Sequence, residues 1–150
     1  MGEKRTEDLD ELLRNMSPHG LSDFFKDNKK GNADERKGFS YFFKNTVEDK
    51  EIKLKDIYIT AGVSESYGGK IISMEKHTTN RDLIIRLCIA GHFDLEEVDR
   101  ALKLYGMNPL YSKNTRDACL IIAINNKMYD FSDIDELLEK YACMKLSKAE

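Results

Sequence analysis

Apolar residues recur along this chain at helical spacing, and polar–apolar alternation is never sustained beyond a few positions. Phe39, Phe42, Phe43 and Val47 share one face and predict a helix buried along that side. Leu54, Ile57, Tyr58 and Ala61 predict a short second helix that Gly62 ends in a left-handed cap. Val63 follows, and Ser64 is placed to cap a third helix carrying Tyr67, Ile71 and Ile72. Residues 77–80 form a polar break before Arg81–Ala90, a strongly apolar helix that Gly91 closes. Ahead of these elements, KDNKKGNADERK (26–37) combines dense charge with Asn and Gly and reads as a solvated linker. Two amphipathic pieces precede it. Thr6 can cap a helix with Leu9, Leu12, Leu13 and Met16, and Ser22 a turn with Phe24 and Phe25. Those large side chains favour docking onto the body or onto a partner.

The second half repeats itself at a period of about 35 residues. Asn80-Arg81-Asp82 opens an apolar helix, and Phe93-Asp94-Leu95-Glu96-Glu97-Val98 leads into an amphipathic one ending near Gly106. Thr115-Arg116-Asp117 and Tyr129-Asp130-Phe131-Ser132-Asp133-Ile134 open the matching pair. Asp94 with Glu97 has the spacing of a capping box, which Asp130 with Asp133 imitates less well. The period is near that of tetratricopeptide repeats, but their aromatic and small-residue positions are absent. Two helical hairpins packed on the preceding helices are therefore expected.

Composition narrows the class. The 150 residues are 41% apolar and 34% charged, with only two prolines, which fits an all-α chain able to bury a core. Against 24 Lys and Arg stand 27 acidic residues, so the net charge of −3 excludes a strongly basic nucleic-acid arm. No apolar run reaches the roughly 18–20 residues of a membrane span, and residues 1–9 lack a signal-peptide core, so a cytoplasmic protein with no membrane partner is expected. Cys88, Cys119 and Cys143, like the three histidines, lack metal-ligand spacing and are expected as reduced thiols on or near the core. Cys143 is the more reactive candidate.

Enzymatic chemistry finds no footing. Gly68-Gly69-Lys70 resembles a piece of a phosphate-binding loop, yet no strand leads into it and the preceding Gly is missing. The acidic clusters (Asp8, Asp10, Glu11; Glu96, Glu97, Asp99; Asp130, Asp133, Asp135, Glu136) fall at expected helix starts, where capping and the helix dipole account for them. No nucleophile–base set, metal site or cofactor site is expected, and His77 is the one histidine placed to touch a ligand.

The stretch 54–73, LKDIYITAGVSESYGGKIIS, has the layout of a helix-turn-helix. Gly62 permits the turn, Val63 plugs the angle, and Ile57, Ala61 and Ile71 point inward. With Ser66-Tyr67-Gly68, Asn80-Arg81-Asp82 and Tyr105-Gly106-Met107-Asn108-Pro109-Leu110-Tyr111, the chain resembles the lambda-repressor-like (XRE-type) helix-turn-helix regulators. The match is to a small bacterial variant with an N-terminal helical arm and an extra C-terminal hairpin. The resemblance implies a five-helix core over 38–106, an arm and linker over 1–37, and a helical extension over 107–150. It also implies a sequence-specific transcriptional regulator, usually a homodimer, whose recognition helix (about 64–73) enters the major groove of double-stranded DNA. On that basis Ser64, Glu65, Ser66, Tyr67, Gly69 and Lys70 face bases and backbone. Lys53 and Lys55 face flanking phosphates before the motif, and Lys76, His77 and Thr78 after it.

Two positions depart from that pattern. Tyr58 replaces a small residue, and Gly68 replaces an inward β-branched one; Gly68-Gly69 in a helix costs about 2 kcal/mol relative to two alanines. Charge is also sparse. Between Lys53 and His92, six cations (Lys53, Lys55, Lys70, Lys76, Arg81, Arg86) meet four anions (Asp56, Glu65, Glu75, Asp82), a net of +2. Specific DNA binders often make about 6–10 phosphate contacts. The alternative is a protein-interaction adaptor in which the motif no longer binds DNA and the arm or hairpins hold a protein partner.

Overall fold

A computed structural model describes residues 32–146, and all the regular structure described there is helical: α1 (Asn32–Asp49), α2 (Leu54–Ala61), α3 (Glu65–Ser73), α4 (Arg81–Ala90), α5 (Leu95–Leu104), α6 (Thr115–Asn125) and α7 (Phe131–Lys140). By backbone proximity the chain divides into two compact units, Met1–Asp34 and Glu35–Glu150. The amphipathic pieces expected around Leu9–Met16 and Phe24–Phe25 lie outside the described residues. No helix among the described residues is long and apolar enough to cross a membrane.

The charged stretch expected as a linker is corrected in part, because α1 begins at Asn32 and runs through Lys37. Ala33, Glu35, Arg36 and Lys37 are good helix formers. Charge density did not forbid a helix. Farther along α1, Phe39 and Phe43 are fully buried. Phe39 meets Tyr105 edge-on at 4.8 Å between ring centres, and Phe43 tilts against Phe93 at 4.9 Å. Phe42 stays at the rim, its ring under the Arg100 guanidinium at 5.5 Å.

Each helix closes the same way. Non-glycine residues Glu51, Met74, His92, Lys127 and Ala142 take φ of 56–67°, joined by Gly62 and Gly106. In six of these closures the next N–H reaches the carbonyl five residues back, as from Val63 to Tyr58 and from Met107 to Leu102. Gly91 caps the end of α4, as expected, with φ −86°, and the left-handed residue is His92, one position on. Gly91 also serves packing, since a Cβ there would come within 2.9 Å of the Phe93 ring.

The repeat is structural as well as textual. Asn80 and Asn114 cap α4 and α6, and Asp94 and Asp130 cap α5 and α7. Asp94 and Glu97 complete the capping box at 2.8 and 2.9 Å, whereas Asp130 accepts from Ser132 instead. After each hairpin the chain doubles back as a short strap. Arg81 donates to the carbonyls of Asn108 and Pro109, both at 3.0 Å, and Arg116 donates to those of Met144 and Lys145 at 3.0 and 3.1 Å. Asp99 accepts from Leu110 N–H at 3.0 Å, and Asp135 from Leu146 N–H at 2.8 Å. These two carboxylates therefore pin straps and do not cap helices, contrary to the expectation for them.

Across the hairpins the pairing is reciprocal. Both Arg81 Nη atoms donate to Asp117 (3.0 and 2.9 Å), and both Arg116 Nη atoms donate to Asp82 (2.8 Å each). Sequence-equivalent arginines and aspartates exchange partners, as a local two-fold relation requires. Burial pushes the Asp117 carboxyl upward. The hydrogen bonds from Arg81 and Tyr111 N–H and the charges of Arg81 and Arg116 outweigh it, leaving the group below the usual carboxylate range.

Replacing Asp117 by Ala strands Arg81 without its carboxylate, and the unfolding free energy in urea should fall by about 2–3 kcal/mol. The pH dependence follows from the lowered folded-state pKa. This carboxylate stabilises the fold fully above the unfolded value of about 3.9 and progressively less as pH falls through the folded value. Acidification from about pH 5 to pH 2 should consequently lower the urea midpoint more in the parent than in Asp117→Asn.

Candidate nucleic-acid interface

Helices α2 and α3 are joined by Gly62, Val63 and Ser64. Gly62 takes φ 76° and ψ 31°, and Ser64 is extended with its Oγ accepting from Tyr67 N–H at 3.1 Å. The Ser64 hydroxyl thus caps α3, and Glu65 in the first turn suits the positive end of the helix. Ile57 and Ala61 of α2 and Ile71 and Ile72 of α3 are buried, while Val63 is half-buried between them.

The two departures from the expected pattern answer each other. The Tyr58 ring lies where a side chain at position 68 would stand: a Cβ on Gly68 would approach its Cδ1 to 2.5 Å and Cε1 to 2.8 Å. Large and small have exchanged places between α2 and α3, keeping the helices in contact. The ring runs beneath α3 until its hydroxyl emerges beside Gly69, where a Cβ would stand 3.7 Å away. Burial first, and then the nearby Glu65 carboxylate, pushes the Tyr58 hydroxyl pKa up, so the phenol stays neutral.

The turn is clamped from behind by a buried residue of α4. Arg86, counted above among the six cations, is buried in α4 and donates from Nε (3.1 Å) and Nη2 (2.7 Å) to the Ala61 carbonyl at the end of α2. A guanidinium is a strong partner for a carbonyl at the negative end of a helix. Its position inside Leu83-Ile84-Ile85-Arg86-Leu87-Cys88-Ile89 was the available signal, because an arginine among apolar residues must find an internal acceptor. Arg81 is likewise held by Asp117. The solvent-exposed charge around α2 and α3 therefore reduces to Lys53, Lys55, Lys70 and Lys76 against Asp56, Glu65 and Glu75.

The outward side of α3 presents Glu65, Ser66 and Lys70, with Ser64 exposed at its start and Gly69 and Tyr67 partly covered. Past the helix, Met74 turns the chain back and Lys76 N–H donates to the Lys70 carbonyl at 3.1 Å. That turn sets the Lys76 ammonium 5.9 Å from the centre of the Tyr67 ring. Lys53 and Lys55 are exposed at the start of α2. His77 is exposed and Thr78 half-buried, and both touch Tyr105. The His77 ring stacks on Tyr105 at 5.0 Å, and Thr78 donates its N–H to the Tyr105 hydroxyl while its own hydroxyl accepts from Asn80 N–H, both at 3.0 Å. Among the described residues no group of three or more His, Cys, Asp or Glu is placed to hold a metal ion.

Comparisons with protein-family models, with curated proteins and with solved structures gave no match.

Gly68→Ala should destabilise the parent by about 1–3 kcal/mol, because the new Cβ meets the Tyr58 ring. In a Tyr58→Ala background the same change should be neutral or stabilising by about 1 kcal/mol, since alanine is the better helix former. Equal effects in both backgrounds, read from urea midpoints, would contradict the size exchange.

Proposed function

We propose that the chain is a DNA-binding regulator with a five-helix, lambda-repressor-like core formed by α1–α5, and that α3 enters the major groove of double-stranded DNA. The observation that carries this reading is the two-sidedness of α3. Gly68, Ile71 and Ile72 face the core, while Glu65, Ser66 and Lys70 face solvent on a helix whose approach angle is held by Gly62, Tyr58 and Arg86. A groove-reading helix needs that combination of a free polar face and a fixed mount. Lys53, Lys55, Lys70 and Lys76 supply phosphate attraction at the two flanks, and Ser66 supplies a hydroxyl for a base edge. The Ser64 hydroxyl keeps a hydrogen to donate to phosphate while its oxygen caps α3.

Four lysines opposed by three carboxylates give one copy little purchase on a duplex. Two copies acting together would double that attraction, which is why the reading includes a homodimer presenting two α3 helices about 34 Å apart.

A second reading is favoured by two other observations. Glu65 and Glu75 stand where phosphates would approach, and Ile59, Ile122, Tyr141 and Met144 are exposed apolar side chains outside α3, from 53% for Ile122 to 71% for Met144. On that reading the chain is an adaptor that binds protein through its hairpins.

Fluorescence anisotropy of labelled mixed-sequence duplexes at about 0.1 M salt separates the two. The parent should bind with an affinity that falls steeply with salt, and Lys70→Glu should bind at least tenfold more weakly while keeping the parent's helical circular dichroism. Equal binding by Lys70→Glu would remove α3 from the groove. Flat anisotropy for the parent even at low salt would favour the adaptor.

A further inference from the structure

Helix α1 covers one face of the first hairpin. Phe43 meets Phe93, Lys50 pairs with Glu97 at 2.9 Å, and the Phe42 ring lies under Arg100. Gly38 abuts Leu104, where a Cβ would stand 3.5 Å from its Cδ2, and Phe39 meets Tyr105 edge-on. The corresponding residues of the second hairpin, aligned through Asp94 with Asp130 and Asp99 with Asp135, are Tyr129, Asp133, Glu136, Lys140 and Tyr141. Among the described residues this second face lies open. Tyr105 is 4% exposed but Tyr141 54%, and Asp133, Glu136 and Lys140 are all exposed. Tyr129 is half-buried, with one side of its ring on His92 at 3.8 Å.

The chain also carries a second version of the segment that does the covering. GFSYFFKN (38–45), the docking stretch of α1, matches GLSDFFKD (20–27) with five of eight positions identical. Leu21 takes the place of Phe39, and Phe24 and Phe25 take those of Phe42 and Phe43. The charges change in step on the two sides. Where the first face has Arg100, the second has Glu136. Where α1 continues with Val47 and Glu48, the copy continues with Lys29 and Lys30, while Lys26 keeps the place of Lys44. An open face with acids at 133 and 136 is thus matched by a segment with three lysines behind its phenylalanines. Opposite potentials of this kind select a partner and fix its register.

We propose that residues 20–27 of one copy dock on the outer face of α7 in a second copy, as α1 docks on α5 within each copy. Leu21 and Phe25 cover Tyr141 and Tyr129, and Lys26, Lys29 and Lys30 face Asp133 and Glu136. Each copy gives one segment and receives one. The exchange therefore closes as a two-fold dimer and leaves no segment over to recruit a third copy. Within one chain, residues 28–31 alone join the segment to α1, a reach of about 14 Å fully extended. A second copy brings the segment without that tether. The contact uses no residue of α2 or α3, so it stands or falls apart from the DNA-binding reading.

Sedimentation equilibrium of the full chain, without DNA, should show a reversible dimer with a dissociation constant in the micromolar range. Phe24→Ala with Phe25→Ala in the segment should raise that constant at least tenfold. Glu136→Lys with Tyr141→Ala on the face should do the same while keeping the parent's helical circular dichroism, since both side chains are exposed. An equal mixture of isotopically light and heavy chains, treated with a carbodiimide, should join Lys26, Lys29 or Lys30 to Asp133 or Glu136. Among those peptide pairs, mass spectrometry should find ones with a light and a heavy member. A parent that stays monomeric at about 100 μM, peptide pairs of one label only, or undiminished association of the Glu136→Lys/Tyr141→Ala variant would each overturn the proposal.

Discussion

A helix buried on every side needs neighbours all around it, and α4 is such a helix: every residue from Leu83 to Ala90 is buried. Helix α2 covers one flank and α5 another, and α1 adds its phenylalanines on the Phe93 and Tyr105 rings that bracket α5. Because α4 cannot be exposed, the elements around it have little freedom in where they sit. Arg86 turns this constraint into something useful. A buried guanidinium demands acceptors, and the nearest orphan carbonyl at the end of α2 supplies one. The site's geometry thus rests on a residue that faces away from it.

The straps explain why two separate phrases in the sequence belong together. Asn80-Arg81-Asp82 and Asn108-Pro109-Leu110-Tyr111 form one lock: Arg81 reaches the Asn108 and Pro109 carbonyls and Asp117, while Asp117 also accepts from Tyr111 N–H at 3.0 Å. The same construction recurs at Arg116 with Asp82 and the Met144–Leu146 strap. Bidentate arginine–carboxylate pairs are directional as well as attractive, so two of them fix the angle between hairpins that apolar packing alone would leave loose.

At the candidate interface, packing and charge pull in different directions. The Tyr58–Gly68 exchange keeps α3 close to α2 despite two adjacent glycines in a nine-residue helix, and it leaves the outer face of α3 small and polar. The charge there is nearly balanced. Cation-rich binders hold nucleic acid through the number of phosphates they neutralise, so on the DNA-binding proposal weight would fall on hydroxyl and backbone contacts and on pairing of copies.

Apart from the start of α1, helix positions, most of their caps and the doubling of the hairpin were legible in the sequence, because each depends on residues within a few positions of one another. Gly62, Ser64, Asp94 with Glu97 and the apolar run of α4 all announce themselves locally. Partners distant along the chain were not legible. Nothing in one sequence says that Arg86 spends itself on Ala61, that Arg81 and Arg116 trade aspartates, that Tyr58 fills the space Gly68 vacates, or that His77 and Thr78 rest on Tyr105. Short-range rules set where a helix begins and ends. Which charges remain free for a ligand is decided only when helices far apart in the chain are brought together, since burial and pairing are properties of the packed whole.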